Sequence, residues 1–151
     1  MIYNLVMDLL LEQIKAIINK DIPLVSNLSN ISSILFKMGE VNWAGFYLVE
    51  NDTLYVGPFQ GDVACAIINK GKGVCGTCLE NKSSIIVPNV HDFKGHIACS
   101  SLSKSEIVVP VIVNNEVKLI IDIDSPIYDR FHEKELKFLE EVAKEIETLF
   151  L

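Results

Sequence analysis

The stretch Glu106-Ile-Val-Val-Pro-Val-Ile-Val113, Asn114-Asn115, Glu116-Val-Lys-Leu-Ile-Ile-Asp-Ile-Asp124 reads as two strands joined by a tight turn. β-branched residues dominate both arms, and an Asn-Asn pair between apolar runs is a hairpin signal. Strand alternation then sorts the side chains by face. Asp122 and Asp124 share one face, and Ile121 and Ile123 share the other. Glu106 shares a face with Val108 and Pro110. Pairing across the hairpin brings Glu106 toward Asp122 or Asp124. Carboxylates gathered on one face repel one another when ionised, so at least one is expected to keep its proton. A carboxyl held neutral near pH 7 can act as an acid. The structural alternative is that these acids only cap the strand end.

Outward from this hairpin the pattern continues upstream. Trp43-Ala-Gly-Phe-Tyr-Leu-Val49 reads as a strand, Asn51-Asp52 as a turn, and Thr53-Leu-Tyr-Val56 as the returning strand, ended by Gly57-Pro58. A third short strand is expected near Ala64–Ile68. Gly71–Glu80 reads as a glycine loop opening a short helix, Ser84–Val87 as a strand, and Pro88–Ser105 as a long loop carrying His91, His96 and Cys99. Helical spacing links Ile2, Leu5, Val6, Leu9, Ile14, Ile17 and Ile18, and again Leu24, Leu28, Ile31, Leu35 and Met38. Asp21 followed by Pro23 resembles a cap and early helical proline for the second of these. A last helix starts near His132, with Leu136, Leu139, Val142, Ile146 and Leu149 on one face. The fold class is therefore α+β within the α/β group. A central antiparallel sheet of about six strands carries the N- and C-terminal helices on one face, and loops with a short helix over the other.

The chain has 151 residues, half of them hydrophobic, and a formal net charge of −7. That size suits one domain with one core. The acidic balance argues against a nucleic-acid partner, which needs a basic stripe. No apolar run reaches the roughly 18 residues of a membrane span. The N-terminal run is apolar but is interrupted by Asp8 and Glu12 and has no basic leader, so it is expected to be a helix of the mature protein. The expected setting is cytoplasmic. Apolar terminal helices make a homodimer a candidate assembly.

Four cysteines, Cys65, Cys75, Cys78 and Cys99, lie in one half of this chain. Reducing surroundings argue against a structural disulfide framework. Cys75-Gly-Thr-Cys78 has three readings: half of a structural zinc site, a dithiol redox pair, or one functional cysteine beside a filler. A complete zinc site usually shows a second tight ligand pair, and none is present. The predicted helix start near Cys75 favours a thiolate there. Trp43, Gly45 and Tyr47 share one face of their strand, as core or as a binding wall.

Asn42–Tyr47, Gly57–Gly61, Gly71–Gly76, Val90–Cys99, Ser105–Pro110 and Asp122–Pro126 occur together in one order. With them the chain closely resembles the free methionine-(R)-sulfoxide reductases, a GAF-domain family, from about Leu28 to the final helix. The resemblance implies one GAF domain over 1–151, with helices over 1–40, the sheet and active-site loops over 41–126, and a helix over 131–151. It implies reduction of free L-methionine (R)-sulfoxide, with no metal, flavin or other bound cofactor and with thioredoxin as external reductant. Cys99 matches the cysteine that attacks the sulfoxide sulfur, Cys65 the recycling cysteine, and Cys75 a third able to join disulfide exchange. Glu106, Asp122 and Asp124 match the acids around the substrate, and Trp43, with Tyr47 on its face, the aromatic wall. Cys78 stands where a small apolar residue is expected, and Ser100 where an acid is commoner. The alternative within the same fold is a module that senses a small ligand or redox state without catalysis.

Overall fold

The computed structural model describes residues 2–97 and 101–151. Helices α1 (Ile2–Ile17) and α2 (Leu24–Leu35) lead into strands β1 (Trp43–Glu50), β2 (Thr53–Gly61) and β3 (Ile67–Asn69). Helix α3 (Gly73–Asn81) and β4 (Ile85–Val87) follow, then β5 (Ser105–Val113), β6 (Glu116–Ser125) and α4 (Glu133–Glu147). The six strands form one antiparallel sheet in the order β3-β2-β1-β6-β5-β4. The two tight turns follow their sequence signals. Asn51 and Asp52, and Asn114 and Asn115, all have positive φ, which short Asx side chains tolerate and which matches the twist of the flanking strands.

The alternation of β1, β5 and β6 splits the core in two. Ala44, Phe46, Ile107, Val109, Ile121 and Ile123 face α1, α2 and α4, where Ile14, Leu28, Ile31, Leu35, Leu139, Val142 and Ile146 are buried against them. Trp43, Tyr47, Val108 and Ile120 face the other way, toward Val74, Cys75, Cys78 and Leu79 of α3. So the apolar stripes of three helices cover one face. The opposite face is left to α3 and the long loops.

Three local expectations need correction. β2 does not stop at Gly57-Pro58; it runs on to Gly61. The register with β1 jumps from Tyr47↔Val56 to Gly45↔Phe59, so Gly57 and Pro58 form a bulge opposite Phe46. A bulge tolerates proline's missing N–H, and here it re-aims Phe59 across Gly45. β3 is Ile67–Asn69 rather than Ala64–Ile68. Pro23, not Asp21, stands at the start of α2, with no side-chain cap. Asn27 does the joining instead: its amide donates to the Asn19 carbonyl and accepts from the Asn19 N–H, both at 2.9 Å.

Candidate active site

Three adjacent strands place the site. In the register Trp43↔Asp124↔Glu106, one residue each from β1, β6 and β5 forms a row across the sheet. The next row on the same face is Gly45↔Asp122↔Val108. Gly45 must stay small, because a Cβ there would run into the Cβ and backbone of Phe59. Its bare backbone lets Phe59 stack on Trp43, with ring centroids 5.0 Å apart. Tyr47 stacks on the same indole at 5.9 Å. Both aromatics are anchored at their polar ends: Trp43 Nε1 donates to the Asp62 carbonyl and Tyr47 Oη to the Cys65 carbonyl. Such pinning fixes an apolar wall in one orientation.

The wall, the acids and the first turn of α3 surround one cavity. Its lining includes Trp43, Tyr47, Cys75, Glu106, Asp122 and Asp124, together with His96 and Ile97 from the long loop. The acids and aromatics named from the sequence meet here, and of the two partners that alternation allowed for Glu106 the hairpin pairs it with Asp124. Glu106 and Asp122 are each 6% exposed. Asp124 Oδ2 accepts from Ser103 Oγ at 3.0 Å, and Ser103 Oγ in turn accepts from Asn42 Nδ2 at 3.2 Å. The other oxygens, Asp122 Oδ1 and Asp124 Oδ1, are buried without a hydrogen-bond partner. An unmet buried acceptor is costly unless it is protonated or meets a ligand.

Burial is the main force on these groups. It pushes Glu106 well above the usual carboxyl range, with the charges of Asp122 and Asp124 adding to it. Asp124 rises strongly through burial and then through Asp122, against the Ser103 hydrogen bond. Asp122 also rises through burial, opposed by hydrogen bonding from Glu106 and Cys75. All three acids are thus shifted toward the protonated form, Glu106 and Asp124 most strongly. Tyr47 is raised by burial and by Asp122. His96 is lowered by burial and by His91, against the pull of Asp122, which favours the neutral imidazole.

The cysteines divide. Cys65 is disulfide-bonded, while Cys75 and Cys78 are free buried thiols. The thiolate expected at Cys75 is not favoured. Burial, Asp122 and Glu106 push its thiol well up, and together they outweigh the dipole of a nine-residue helix. Cys78 is pushed up to about 12, chiefly by burial. It is packed with Leu79, Val74 and Ile120 in the second core. The CxxC pair is thus split between a cavity residue and a core residue. His91 lies on the surface, edge-on to Tyr128 at 6.5 Å. Cys99 lies outside the described residues. In sequence it stands between Ile97 and Ser103, both of which line the cavity.

Phe59, Ser103 and Asn42 were not singled out as site residues. Phe59 needed the bulge to reach Trp43, and Ser103 needed the loop path; neither leaves a periodic signal. Gly76 carries another packing constraint, since a Cβ there would strike the Asn69 carbonyl where α3 meets β3.

A sheet of this order, with helices on one face and a loop-covered cavity on the other, defines a GAF domain, and the GAF domain model matches residues 29–150. The free methionine-R-sulfoxide reductase of Escherichia coli K12 is 40% identical over 126 residues, covering 83% of this chain and 76% of that protein. The one from Saccharomyces cerevisiae is 44% identical over 129 residues, covering 80% and 72%. Among solved structures, fRMsr of Staphylococcus aureus in its reduced form superposes with a TM-score of 0.92 at 43% identity, covering 96% of this chain and 95% of that one. The free methionine-R-sulfoxide reductase of Neisseria meningitidis in complex with its substrate gives 0.89 at 38% identity, covering 93% and 86%. The chain belongs to the free methionine-R-sulfoxide reductase family of GAF-domain proteins.

Proposed function

We propose that this protein reduces free L-methionine (R)-sulfoxide to L-methionine, with Cys99 as nucleophile and Cys65 as the recycling thiol. The observation that carries this reading is the acid cluster beside a pinned aromatic wall, in a chain two of whose relatives are free methionine-R-sulfoxide reductases. Sulfoxide oxygen is a poor leaving group until it is protonated, so the reaction needs a thiolate on one side and an acid on the other. Glu106 and Asp124 are the acids; Trp43 and Tyr47 are the apolar surface for the methyl group, with Phe59 stacked on Trp43 to brace it. Asp122 and its neighbours also meet the substrate ammonium.

The Cys99 thiolate attacks the sulfoxide sulfur while a carboxyl proton reaches the oxygen. The attack joins the two sulfurs and leaves a hydroxyl on the substrate sulfur. That hydroxyl then passes to the Cys99 sulfur as the sulfur–sulfur bond and the original sulfur–oxygen bond break, which leaves Cys99 as a sulfenic acid and releases methionine. The Cys65 thiol condenses with the sulfenic acid, releasing water and forming a disulfide. Two electrons from an external dithiol, thioredoxin in this reading, restore both thiols. Cys65 is the cysteine found oxidised, and Cys75 and Cys78 are the ones found reduced, which supports Cys65 over Cys75 as the recycling partner. A cytoplasmic setting, where such a reductant is abundant, belongs to the same reading. Among the described residues no helix is long and apolar enough to cross a membrane.

The test is a steady-state assay with separate free (R)- and (S)-methionine sulfoxide, dithiothreitol and direct detection of methionine. Turnover of the (R) epimer alone is expected. Binding of the (R) epimer without any methionine formed would make the domain a sensing module instead.

A further inference from the structure

One atom each of Cys75, Glu106 and Asp122 (the thiol sulfur and a carboxyl oxygen from each acid) lie within 4.8 Å of one another. All three residues are buried, and Asp122 Oδ1 has no hydrogen-bond partner although its residue is only 6% exposed. A buried, unmet carboxyl oxygen next to a thiol can hold a cation once these groups give up their protons, so binding there releases protons and strengthens as pH rises. The three donors come from three different elements, α3, β5 and β6, so packing on all sides fixes their spacing.

Zinc binds sulfur at about 2.3 Å and carboxylate oxygen at about 2.0–2.2 Å in a tetrahedron. Donors around one such ion therefore stand about 3.3–3.7 Å apart, so small side-chain rotations close the set. Three protein donors leave a fourth position, and the cavity faces it. We propose that Cys75, Glu106 and Asp122 form a binding site for a thiophilic divalent cation of the zinc class. The sulfur donor selects against magnesium and calcium, which take oxygen ligands. The ion is an exogenous ligand of the acid cluster and not a group the proposed reduction uses. The site stands on its own geometry and does not depend on the reductase reading.

Cobalt(II) is the probe, because a thiolate ligand gives it a charge-transfer band in the near ultraviolet. The fully reduced protein, in a phosphine reductant, is expected to bind one cobalt ion with that band and to lose it on adding zinc but not magnesium. The band should persist in the Cys65→Ser/Cys99→Ser double variant and vanish in Cys75→Ser. Glu106→Gln should weaken binding by at least about tenfold, the size of effect that disturbing a ligand shell produces. Circular dichroism confirms that each variant is folded. A band that survives in folded Cys75→Ser, or one lost in the double variant, overturns the proposal. So does a reduced wild-type protein that binds no cobalt.

Discussion

Glu106 and Asp124 face each other across the β5–β6 ladder and line one cavity, Glu106 buried and Asp124 half-buried with its Oδ1 shielded from solvent. Burial, and next the charge of Asp122, push both toward the neutral form, while the hydrogen bond from Glu106 partly opposes this at Asp124. On the proposed mechanism this pair supplies the proton that the sulfoxide oxygen takes up. Losing one such donor costs roughly 10²–10³ in rate. Glu106→Gln and Asp124→Asn are each expected to slow single-turnover methionine formation by about that factor, with the remaining thiols still titratable. A change below about fivefold, well short of that range, would leave these carboxyls with only a binding role.

The same burial makes a prediction about stability. A raised folded-state pKa means the native protein holds a proton that the unfolded chain releases above the ordinary value of 4.5 for Glu106. The favourable contribution is fully present below that value and is lost as pH rises toward the folded-state pKa. Stability measured by urea denaturation should therefore decline as pH rises from about 4.5 toward neutrality. Glu106→Gln carries no such proton, so it should flatten this decline and be the more stable protein at neutral pH. An unchanged slope in the variant would show that Glu106 ionises normally.

The cysteines separate by role. Cys65→Ser should form methionine in the first turnover and stall when thioredoxin is the reductant. Cys78 packs in the second core, away from the cavity lining. Cys78→Ser should therefore leave turnover nearly unchanged, although it buries a hydroxyl in an apolar site. Full multi-turnover activity of Cys65→Ser would shift recycling to Cys75.

Gly45 is a packing test of the aromatic wall. A methyl group at 45 collides with Phe59. Overpacking of a tight site costs about 1–3 kcal/mol, so Gly45→Ala should lose stability by that order in a denaturant titration. Its tryptophan emission should also change, since Trp43 is the sole tryptophan and loses one of its two stacked neighbours. A variant with wild-type stability and emission would mean the wall is not held by Phe59.

Much of this was legible in the chain because the signals are local. Asn51-Asp52 and Asn114-Asn115 each announced a turn, and both adopt the positive φ that Asx residues accept. Alternation along β5 and β6 placed Glu106, Asp122 and Asp124 on one face without any knowledge of the loops. What escaped was set by non-local packing. Gly57-Pro58 resembles a strand end, yet it forms a bulge because β1 continues beside it. Asn27 joins two helices through side-chain bonds to Asn19, a contact no periodicity encodes. The thiolate expected at Cys75 followed from its helix start alone; the opposing effect of two acids from a distant hairpin became visible only in three dimensions.

The most direct measurement is methionine formed per chain by fully reduced protein, with free methionine (R)-sulfoxide and no reductant remaining. The proposed chemistry predicts about one methionine per chain for the wild type, loss of one Cys99 thiol and one Cys65 thiol, and no methionine from a folded Cys99→Ser variant. Stoichiometric methionine from Cys99→Ser, or none from the wild type, would contradict it.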